Sequence, residues 1–560
     1  MKTEHLLEIK NLSIAFADSK VLDNISFEVK KGEILGIVGE SGSGKSLTSL
    51  AIMGLLPKNA RTTGSLQFDL TEKSIELLEN SHSEMIRGNE IGMIFQEPMT
   101  SLNPSMRCGQ QVLENIQQHN KIEKKSAKSE VLTLFEKVKL PEVERIYKAY
   151  PHELSGGQKQ RVMIAMAIAS KPKLLIADEP TTALDVTVQR SILELLKELQ
   201  HDLGMSIILI SHDLGVIAEI CERVIVMYRG KIVEQGRVEQ IFHHPTENYT
   251  KGLIACRPRL DGRLKTLPTI GDFISETKLD LTSENPDERK ARFEKIYDQE
   301  PILIIKNLHK YFKVNAGFFS KEQQQVKAVQ GVSFELYEGE TLGLVGESGS
   351  GKTTLNRTLL MLEKPTLGDI FYKGRNLAAL SSKGLRKIRK DIQIIFQDPY
   401  SSLNPRHNIE QIITEPMLIH GIEKNNKDRR KVARDLLEKV GLSAEDLLKY
   451  PHEFSGGQRQ RIGIARALAL QPKIIICDES VSALDVSVQA QVLNLLNQLK
   501  EEYNLTYIFI SHDLSVVKYM SDRLIVLRHG EIQEYGDADE IYRQPKTKYT
   551  SDLIAAIPKL

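Results

Sequence analysis

Two stretches, GEILGIVGESGSGKS at Gly32–Ser46 and GETLGLVGESGSGKT at Gly339–Thr353, decide the fold of this chain. In each, an apolar run typical of a buried strand enters a glycine-rich loop, and an apolar segment typical of a helix follows. This order of strand, loop and helix is the setting of a phosphate-binding P-loop. The sequence therefore predicts an α/β fold with one P-loop in each half, and the second match makes an incidental glycine-rich turn a poor alternative.

The composition of these loops indicates how they would hold a nucleotide. Glycines let consecutive backbone N–H groups wrap the phosphates, and the following helix N-terminus adds roughly half a positive charge. Lys45 and Lys352 would neutralise the β- and γ-phosphate oxygens, while the hydroxyls of Ser46 and Thr353 would bind Mg²⁺. The loop residues predicted to bind ATP are Gly39, Glu40, Ser41, Gly42, Ser43, Gly44, Lys45, Ser46, Gly346, Glu347, Ser348, Gly349, Ser350, Gly351, Lys352 and Thr353.

The chain is a duplication. YPHELSGGQKQR at Tyr150–Arg161 returns as YPHEFSGGQRQR at Tyr450–Arg461, and the second copy has extra residues around Val314–Gln325. We therefore expect one domain at residues 1–260, a linker at 261–300 and a second domain at 301–560. The linker is rich in charge and turn formers, with helical content around Asp287–Tyr297, and the sequence leaves open whether it is a solvated tether or has an active role.

Each copy also contains an apolar strand that ends in two adjacent acids, in LLIADEP and IIICDES. Parallel α/β sheets bind their ligands at the carboxyl ends of strands, which is where these acids would lie. Asp178 and Asp478 suit the outer shell of Mg²⁺, and Glu179 and Glu479 suit a base that orients the attacking water. An acid pair on a surface turn is the alternative, and the P-loop upstream argues against it.

LSGGQ at Leu154–Gln158 and FSGGQ at Phe454–Gln458 resemble the signature loop of the ABC ATPase family. The serine can cap a helix whose exposed N–H groups form an anion site, although a simple helix cap would have the same sequence pattern. In this family the loop faces the γ-phosphate bound by the other domain. The resemblance thus adds Ser155, Gly156, Gly157, Gln158, Ser455, Gly456, Gly457 and Gln458 to the ATP-binding residues.

The other elements of that family occur in order in both copies. Gln96 and Gln397 match the Q-loop, which touches Mg²⁺ or the attacking water and senses the permease. The resemblance assigns interface and nucleotide contacts to the D-loop residues Asp185 and Asp485. It assigns γ-phosphate binding to the switch residues His212 and His512. Adenine would stack on Phe16 and Phe312, with Tyr311 as an alternative to Phe312 in the second copy. The implied fold is α/β, with two ABC-type P-loop NTPase domains that each have a core sheet and a helical subdomain.

More narrowly, GESGSGK with FQ(E/D)PxxSLNP and YPHE(L/F)SGGQ resembles the ATPases of bacterial peptide and nickel importers, which are fused in microcin-C-type and glutathione-type systems. The resemblance implies ATP and Mg²⁺ at two head-to-tail sites, two integral-membrane permease subunits, a substrate-binding protein, and a peripheral position on the cytoplasmic face of the inner membrane. The segments Arg107–Lys139 and Arg406–Lys439 would dock the permease or form plain solvated faces. These relatives commonly end in a cysteine-rich segment, whereas only Cys256 stands at that position here, so an iron–sulfur cluster is not favoured.

Composition excludes several other classes. Lys plus Arg number 75 and Asp plus Glu number 74, so there is no basic field to attract nucleic acid. The first residues, MKTEHLLEIKNLSIAF, do not have the pattern of an export signal. The apolar runs fall well short of the roughly 20 residues of a membrane span. Four scattered cysteines suit a reducing cytoplasm. His243 and His244 are expected in an exposed loop. The rival function is that of a soluble tandem ABC protein acting on ribosomes or another macromolecular machine. Translation factors of that class resemble this chain in the motifs but typically have a long basic helical linker, whereas the linker here has about 40 residues and is mixed in charge.

Overall fold

The computed structural model describes most of the chain. The described residues are 5–17, 19–70, 73–79, 86–97, 101–119, 123–182, 184–260, 262–275, 277, 280–314, 324–482 and 484–558. Residues 98–100 of the FQEPMTSLNP string, Asp261 at the predicted start of the linker, and residues 315–323 of the extra segment lie outside them. By their contacts the described residues form two compact units, the first reaching Ile254 and including residues 270–277, the second comprising residues 255–269 and 278–557.

A six-stranded sheet forms the centre of the first unit. Its order is β10-β9-β3-β8-β7-β6, and all neighbours are parallel except β10 with β9. The strands of this unit are β1 (His5–Phe16), β2 (Ser19–Lys30), β3 (Ile34–Val38), β4 (Ala60–Leu70), β5 (Lys73–Glu76), β6 (Ile91–Ile94), β7 (Leu174–Asp178), β8 (Ser206–Ile210), β9 (Arg223–Tyr228) and β10 (Lys231–Arg237). Every residue of β3, β7 and β8 is buried, which is the pattern of parallel strands covered on both faces.

The first unit also contains a second sheet that the sequence analysis did not predict. It is antiparallel, in the order β2-β1-β4-β5. Buried and less buried residues largely alternate along β1, with irregularities where its pairing with β2 shifts register. Its buried side packs into the same apolar core as β3, so the hairpin β1–β2 lies next to the P-loop.

The second unit repeats both sheets. Its strands are β11 (Leu303–Val314), β12 (Gln324–Leu336), β13 (Thr341–Val345), β14 (Leu367–Tyr372), β15 (Arg375–Asn376), β16 (Ile392–Ile395), β17 (Ile474–Asp478), β18 (Thr506–Ile510), β19 (Arg523–Arg528) and β20 (Glu531–Asp537). The antiparallel sheet has the order β12-β11-β14-β15, and the central sheet has the order β16-β17-β18-β13-β19-β20. The two orders equal those of the first unit, strand for strand.

Helices cover the central sheets and build a separate helical part between β6 and β7, and between β16 and β17. In the first unit the helices are Lys45–Ile52, Cys108–His119, Lys124–Lys137, Val143–Lys148, Gly156–Ile168, Val186–Leu203, Leu214–Ile220, Val238–His243, Asn248–Ala255 and Ile270–Ile274, with a 3₁₀ turn at Pro151–Glu153. In the second they are Pro286–Tyr297, Lys352–Leu359, Ser382–Asp391, Pro399–Ser402, Ile409–His420, Asn426–Lys439, Gly456–Leu468, Val486–Tyr503, Leu514–Met520, Ala538–Arg543 and Lys548–Ala555, with 3₁₀ turns at Leu377–Ala379, Ala444–Leu448 and Pro451–Glu453. The predicted α/β fold with a core sheet and a helical subdomain in each copy is confirmed.

Amphipathic spacing explains the helical part. In Cys108–His119 the buried residues Cys108, Val112 and Ile116 are four apart, so they share one face that packs against Lys124–Lys137. No helix among the described residues combines the length and the apolar character that crossing a bilayer requires. All four cysteines are buried thiols.

The predicted linker is divided between the two units, because residues 270–277 cluster with the first unit and its other described residues cluster with the second. Its helix, Pro286–Tyr297, starts one residue before the predicted helical segment and is capped by Asn285. Arg292 donates to Asp522 at 2.6 Å, and Arg289 pairs with Asp537 at 3.1 Å and with Asp539 at 2.8 Å. The helix Pro286–Tyr297 is therefore held by ion pairs rather than solvated as part of a tether, which explains why it clusters with the second unit.

Asp522 is the most buried acid of this contact, at 1% exposure. Its carboxylate accepts hydrogen bonds from Arg292, from Lys500 at 3.1 Å and from the backbone N–H of Thr341 at 2.8 Å. Burial opposes ionisation, but Lys500 and Arg292 outweigh it and hold the pKa of Asp522 below its usual range. Because the folded-state pKa is lower than the unfolded value of about 3.9, this stabilisation is present above that pH and is lost as the pH falls further.

Replacing Asp522 by Ala should lower the free energy of unfolding of the second unit by about 3–5 kcal/mol, since Arg292 and the largely covered Lys500 would both lose their counter-ion. Glu222, the exposed residue at the matching position of the first copy, provides the control, and Glu222→Ala should leave stability nearly unchanged. Urea unfolding followed by circular dichroism measures both variants. Equal losses in the two variants would show that the ion pairs of Asp522 do not stabilise the second unit.

Candidate functional site

Each P-loop follows the central strand of its sheet. The strand β3 ends at Val38, where the loop starts, and the helix Lys45–Ile52 starts at the other end of the loop. Gly39 has φ 149°, and a Cβ there would lie 2.2 Å from the carbonyl oxygen of Met227. Gly346 repeats this, with φ 151° and the Leu527 carbonyl oxygen at 2.2 Å. Only glycine fits where the loop leaves the sheet.

The P-loop lysines are held over their own loops. Lys45 Nζ donates to the carbonyl oxygens of Gly39 at 2.7 Å and Glu40 at 2.9 Å. In the second unit, Lys352 Nζ donates to Gly346 at 2.5 Å and to Glu347 at 3.0 Å. Both side chains are buried, so each ammonium group lies inside the loop, where a phosphate would need its charge.

A carboxylate network lies at the end of β7 in the first unit. Glu179 follows the last residue of that strand and has φ 49°, a left-handed conformation that costs a non-glycine residue about 1–3 kcal/mol. Its Oε2 lies 3.2 Å from His212 Nδ1 and accepts hydrogen bonds from Gln96 Nε2 and Thr182 Oγ1, both at 2.8 Å. Three predicted site residues from three separate motifs thus meet on one oxygen.

The second unit has nearly the same network. Glu479 has φ 47°, and its Oε2 accepts from Gln397 Nε2 at 2.8 Å and lies 3.3 Å from His512 Nδ1. The difference is at Ser482, which matches Thr182 but whose buried hydroxyl has no hydrogen-bond partner in the described structure. Sequence reasoning missed Thr182, and its only signal was its position three residues after the glutamate.

Both glutamates are held ionised. Burial raises the pKa of Glu179, but His212 and Thr182 outweigh it and lower the pKa to about 2. His512 lowers the pKa of Glu479 in the same way. A carboxylate that is ionised at neutral pH and fixed by several donors can accept a hydrogen bond from water and orient it.

The neighbouring aspartates have the opposite shift. Burial raises the pKa of Asp178, against a hydrogen bond from Ser46, and burial also raises the pKa of Asp478, against Asn356 and Lys352. Asp178 Oδ1 is a buried oxygen with no hydrogen-bond partner among the described residues. An unsatisfied carboxylate oxygen beside a hydroxyl fits a hard cation such as Mg²⁺, which prefers oxygen ligands.

Ser155 and Ser455 cap the helices of the signature loops, as the sequence predicts. Each hydroxyl accepts from the backbone N–H of the glutamine three residues on, at 3.3 and 3.4 Å, and each glutamine side chain accepts from the serine N–H. A Cβ on Gly157 would lie 2.7 Å from Val188, so the second glycine lets this helix approach Val186–Leu203. The described hydrogen bonds of Ser155 stay within its own turn and do not reach a P-loop.

The remaining predicted site residues lie at element ends. Asp185 and Asp485 occupy the N-cap positions of the helices Val186–Leu203 and Val486–Tyr503. Phe16 ends β1 and packs partly on the core, whereas Phe312 is 37% exposed with Lys310 Nζ 4.9 Å from its ring centroid. Tyr311 bonds through its hydroxyl to His309. The described residues include no cluster of three or more His, Cys, Asp or Glu side chains able to hold a metal.

Two protein-family models each match this chain twice, once in each half. The ABC transporter family model matches residues 22–182 and 329–482, and the model of the oligopeptide/dipeptide transporter C-terminal region matches residues 233–278 and 533–560. The glutathione import ATP-binding protein GsiA of Escherichia coli strain K12 is 47% identical over 565 residues, covering 99% of this chain and 90% of that protein. GsiA of Salmonella choleraesuis strain SC-B67 is 47% identical over 568 residues, with 100% and 90% covered. A solved dimeric ATP-binding cassette with ADP and Pi is 30% identical, covering 42% of this chain and 98% of that one, at a TM-score of 0.38.

The two matches to the ABC transporter family model show that the chain belongs to that family, whose ATPase domains bind ATP, and that it contains two such domains. Within that family it is a peptide-importer ATPase, an ATP-hydrolysing subunit with the oligopeptide/dipeptide transporter C-terminal region after each domain. The predicted resemblance, ATPase activity and importer function are confirmed, and the ribosome-associated alternative is not favoured.

Replacing Gly39 by Ala should weaken ATP binding at the first P-loop about tenfold, because any Cβ at this backbone angle is strained by roughly 1–3 kcal/mol and meets a carbonyl oxygen. Gly204→Ala is the control, since Gly204 also has a positive φ, 62°, but has open space around it and lies at a helix end. Titration with a fluorescent ATP analogue gives both affinities. Parental binding by the Gly39 variant would contradict this account of the loop.

Proposed function

We propose that this chain hydrolyses Mg²⁺-ATP at two sites to drive uptake of a small peptide such as glutathione. Its partners would be two integral-membrane permease subunits and a substrate-binding protein, and its place would be the cytoplasmic face of the inner membrane. The cargo class rests on the relatives, which are glutathione import proteins, and on the oligopeptide/dipeptide transporter region in both halves. The main structural support is that both units hold a glutamate between a glutamine and a histidine beside a P-loop.

Each unit supplies groups that would bind the phosphates, Mg²⁺ and the attacking water of one site. The P-loop lysine and the loop amides would hold the β- and γ-phosphates. Mg²⁺, which supplies charge neutralisation when bound, would be held in the first unit by Ser46, Asp178 and Gln96. In the second unit it would be held by Thr353, Asp478 and Gln397. Glu179 and Glu479 would orient the attacking water, and His212 and His512 would contact the γ-phosphate. The unsatisfied Oδ1 of Asp178 and the low pKa of Glu179 support this division between an ion-binding and a water-binding acid.

The signature loops complete the sites in trans. The capped helix after Ser455 would offer its N-terminal N–H groups to the ATP on Lys45, and the helix after Ser155 would serve the ATP on Lys352. ATP binding would then bring the two domains together head to tail, and hydrolysis would separate them. The support for this arrangement is the resemblance to the ABC family and the capped helix that follows each signature serine.

The helical segments Arg107–Lys139 and Arg406–Lys439 would dock the permease. In the second unit a groove of about 390 Å³ opens beside Gln397, and Phe396, Pro416 and Ile419 line it. Leu418 and Ile419 are 63% and 50% exposed. The matching positions of the first copy are the exposed Gln117 and Gln118, so the two segments would meet different permease surfaces.

The transport proposal predicts ATP-driven uptake by proteoliposomes that contain this chain and its permease subunits, with the binding protein and labelled glutathione outside. Changing Glu179 and Glu479 to Gln should keep ATP binding but slow hydrolysis by about 10²- to 10⁴-fold, because only the basic carboxylate is removed. Uptake should fall with hydrolysis. Glu194→Gln, on an exposed helix face, is the matched control. Uptake of labelled nickel or longer peptides in place of glutathione would correct the cargo, and unchanged hydrolysis in the Gln variant would refute the site.

The composite sites predict a crossed effect of one signature variant. Ser455→Glu places a negative charge at a helix N-terminus, which should repel the γ-phosphate of the ATP on Lys45 and leave the ATP on Lys352 in contact with Ser155. Photo-crosslinking with an azido-ATP followed by peptide mass spectrometry resolves the two P-loops. Ser155→Glu should give the mirror result, and disturbance of the P-loop in the same copy would exclude head-to-tail sites.

A further inference from the structure

We propose that Tyr249 and Tyr549 are positioning residues of the two P-loops, and that through them the C-terminal region of each half sets the ATP affinity of that half. The backbone N–H of Glu40, the second residue of the first P-loop, donates to the Tyr249 hydroxyl at 3.1 Å. The N–H of Glu347 donates to the Tyr549 hydroxyl at 3.2 Å. Each tyrosine reaches its loop across about 200 residues of sequence, and the same bond occurs in both units.

The bonded residue is also the one that the P-loop lysine holds. Glu40 donates its N–H to Tyr249, while its carbonyl oxygen accepts from Lys45 at 2.9 Å. Glu347 is held on both sides in the same way, with Lys352 at 3.0 Å. The tyrosine hydroxyl and the lysine ammonium therefore fix successive peptide groups at the entry of the loop. Loss of the hydroxyl would leave the peptide group at the entry of the loop held on the lysine side only.

The two units keep the tyrosine ring in place by different chemistry. Tyr249 is 4% exposed and stacks on Tyr228, with ring centroids 4.2 Å apart and an interplanar angle of 28°. Tyr549 is 8% exposed, and the guanidinium of Arg528 lies 4.6 Å from its ring centroid. Tyr228 and Arg528 occupy matching positions at the ends of β9 and β19. Both units thus have a tyrosine at this position although the group that packs on its ring differs. The hydroxyl that each tyrosine presents to a P-loop explains this common choice.

A carboxylate, half-buried in the first unit and buried in the second, positions the helix on which each tyrosine lies. Glu234 in β10 accepts from the N–H of Thr246 at 2.8 Å and of Glu247 at 3.3 Å, just before the helix Asn248–Ala255. In the second unit Glu534 accepts from the N–H groups of Lys546 and Thr547, before Lys548–Ala555. A carboxylate at a helix start is favourable and fixes where the helix begins. Each tyrosine is thus placed by a continuous set of contacts from strand to helix to loop.

These helices lie within residues 233–278 and 533–560, the parts that match the oligopeptide/dipeptide transporter C-terminal region. In each unit this region contacts the nucleotide loop itself rather than forming an extension remote from it. The contact gives the region a direct physical means of changing ATP binding, because any displacement of the helix changes the acceptor of a P-loop N–H group. This inference rests on the ATPase activity of the family and not on the identity of the cargo.

The test is the double variant Tyr249→Phe and Tyr549→Phe in the full-length chain assembled with its permease. Phenylalanine keeps the ring and its stacking but leaves the Glu40 and Glu347 N–H groups without their acceptor. We expect the KM for ATP to rise about fivefold, the net worth of one neutral hydrogen bond, with kcat within twofold of the parent. Tyr228→Phe is the matched control, because it also removes a tyrosine hydroxyl, and this hydroxyl makes none of the described bonds to the P-loop. The KM of this variant for ATP should equal that of the parent.

A purely structural function of the tyrosines would give a different result. The melting temperature and the active fraction would then fall, while the KM of the enzyme that remains folded would stay at the parental value. An unchanged KM in the double variant, whether or not its melting temperature falls, overturns the proposal. A raised KM in the double Phe variant together with a parental KM in the Tyr228 control supports it, and the single variants then assign the change to one loop each.

Discussion

Parallel pairing of β3 with β8, and of β8 with β7, is the constraint on which each nucleotide site depends. Because these strands run in one direction, the P-loop, the Asp-Glu pair and the switch histidine all leave the same edge of the sheet. The antiparallel β10 lies at the far side of the sheet and does not interrupt this edge. The conformation of Glu179 then turns its carboxylate toward His212 and Gln96, so three distant motifs share one oxygen. Moving any of these strands in register would separate the lysine from the acids.

The sequence predicted the parts of the site that depend on local order. A strand pattern, a glycine loop and a helix pattern are contiguous, so Lys45, Asp178 and the Ser155 cap followed from the motifs themselves. The antiparallel sheet was missed because β1 pairs with β4 across more than forty residues and with irregular register. Thr182 was missed because threonine is common in turns and only the fold shows its bond to Glu179. No local pattern marks a tyrosine that bonds to a loop far away in sequence.

The two units share a fold but differ in detail around their acids. Asp178 has the Ser46 hydroxyl as its neighbour, whereas Asn356 lies against Asp478. Thr182 donates to Glu179, whereas the matching Ser482 hydroxyl does not bond to Glu479 in the described structure. The first difference changes the polar neighbour of an aspartate, and the second removes one donor to a glutamate, without removing a group that the chemistry needs. Sites of this kind can both hydrolyse ATP and still do so at unequal rates.

The docking of the linker on the second unit gives the chain a direction. Arg289 pairs with Asp537 and Asp539, and the residue of the first copy that matches Asp537 is Arg237. The residue that matches Asp539 is Glu239, so a chain with the two copies in exchanged order would keep an acid near Arg289 but would also bring it against Arg237, where like charges repel. The copies are thus not interchangeable parts, although their sheets are the same. A gene rearrangement that permuted the halves would preserve every nucleotide-binding motif and still weaken the contact that holds the linker helix.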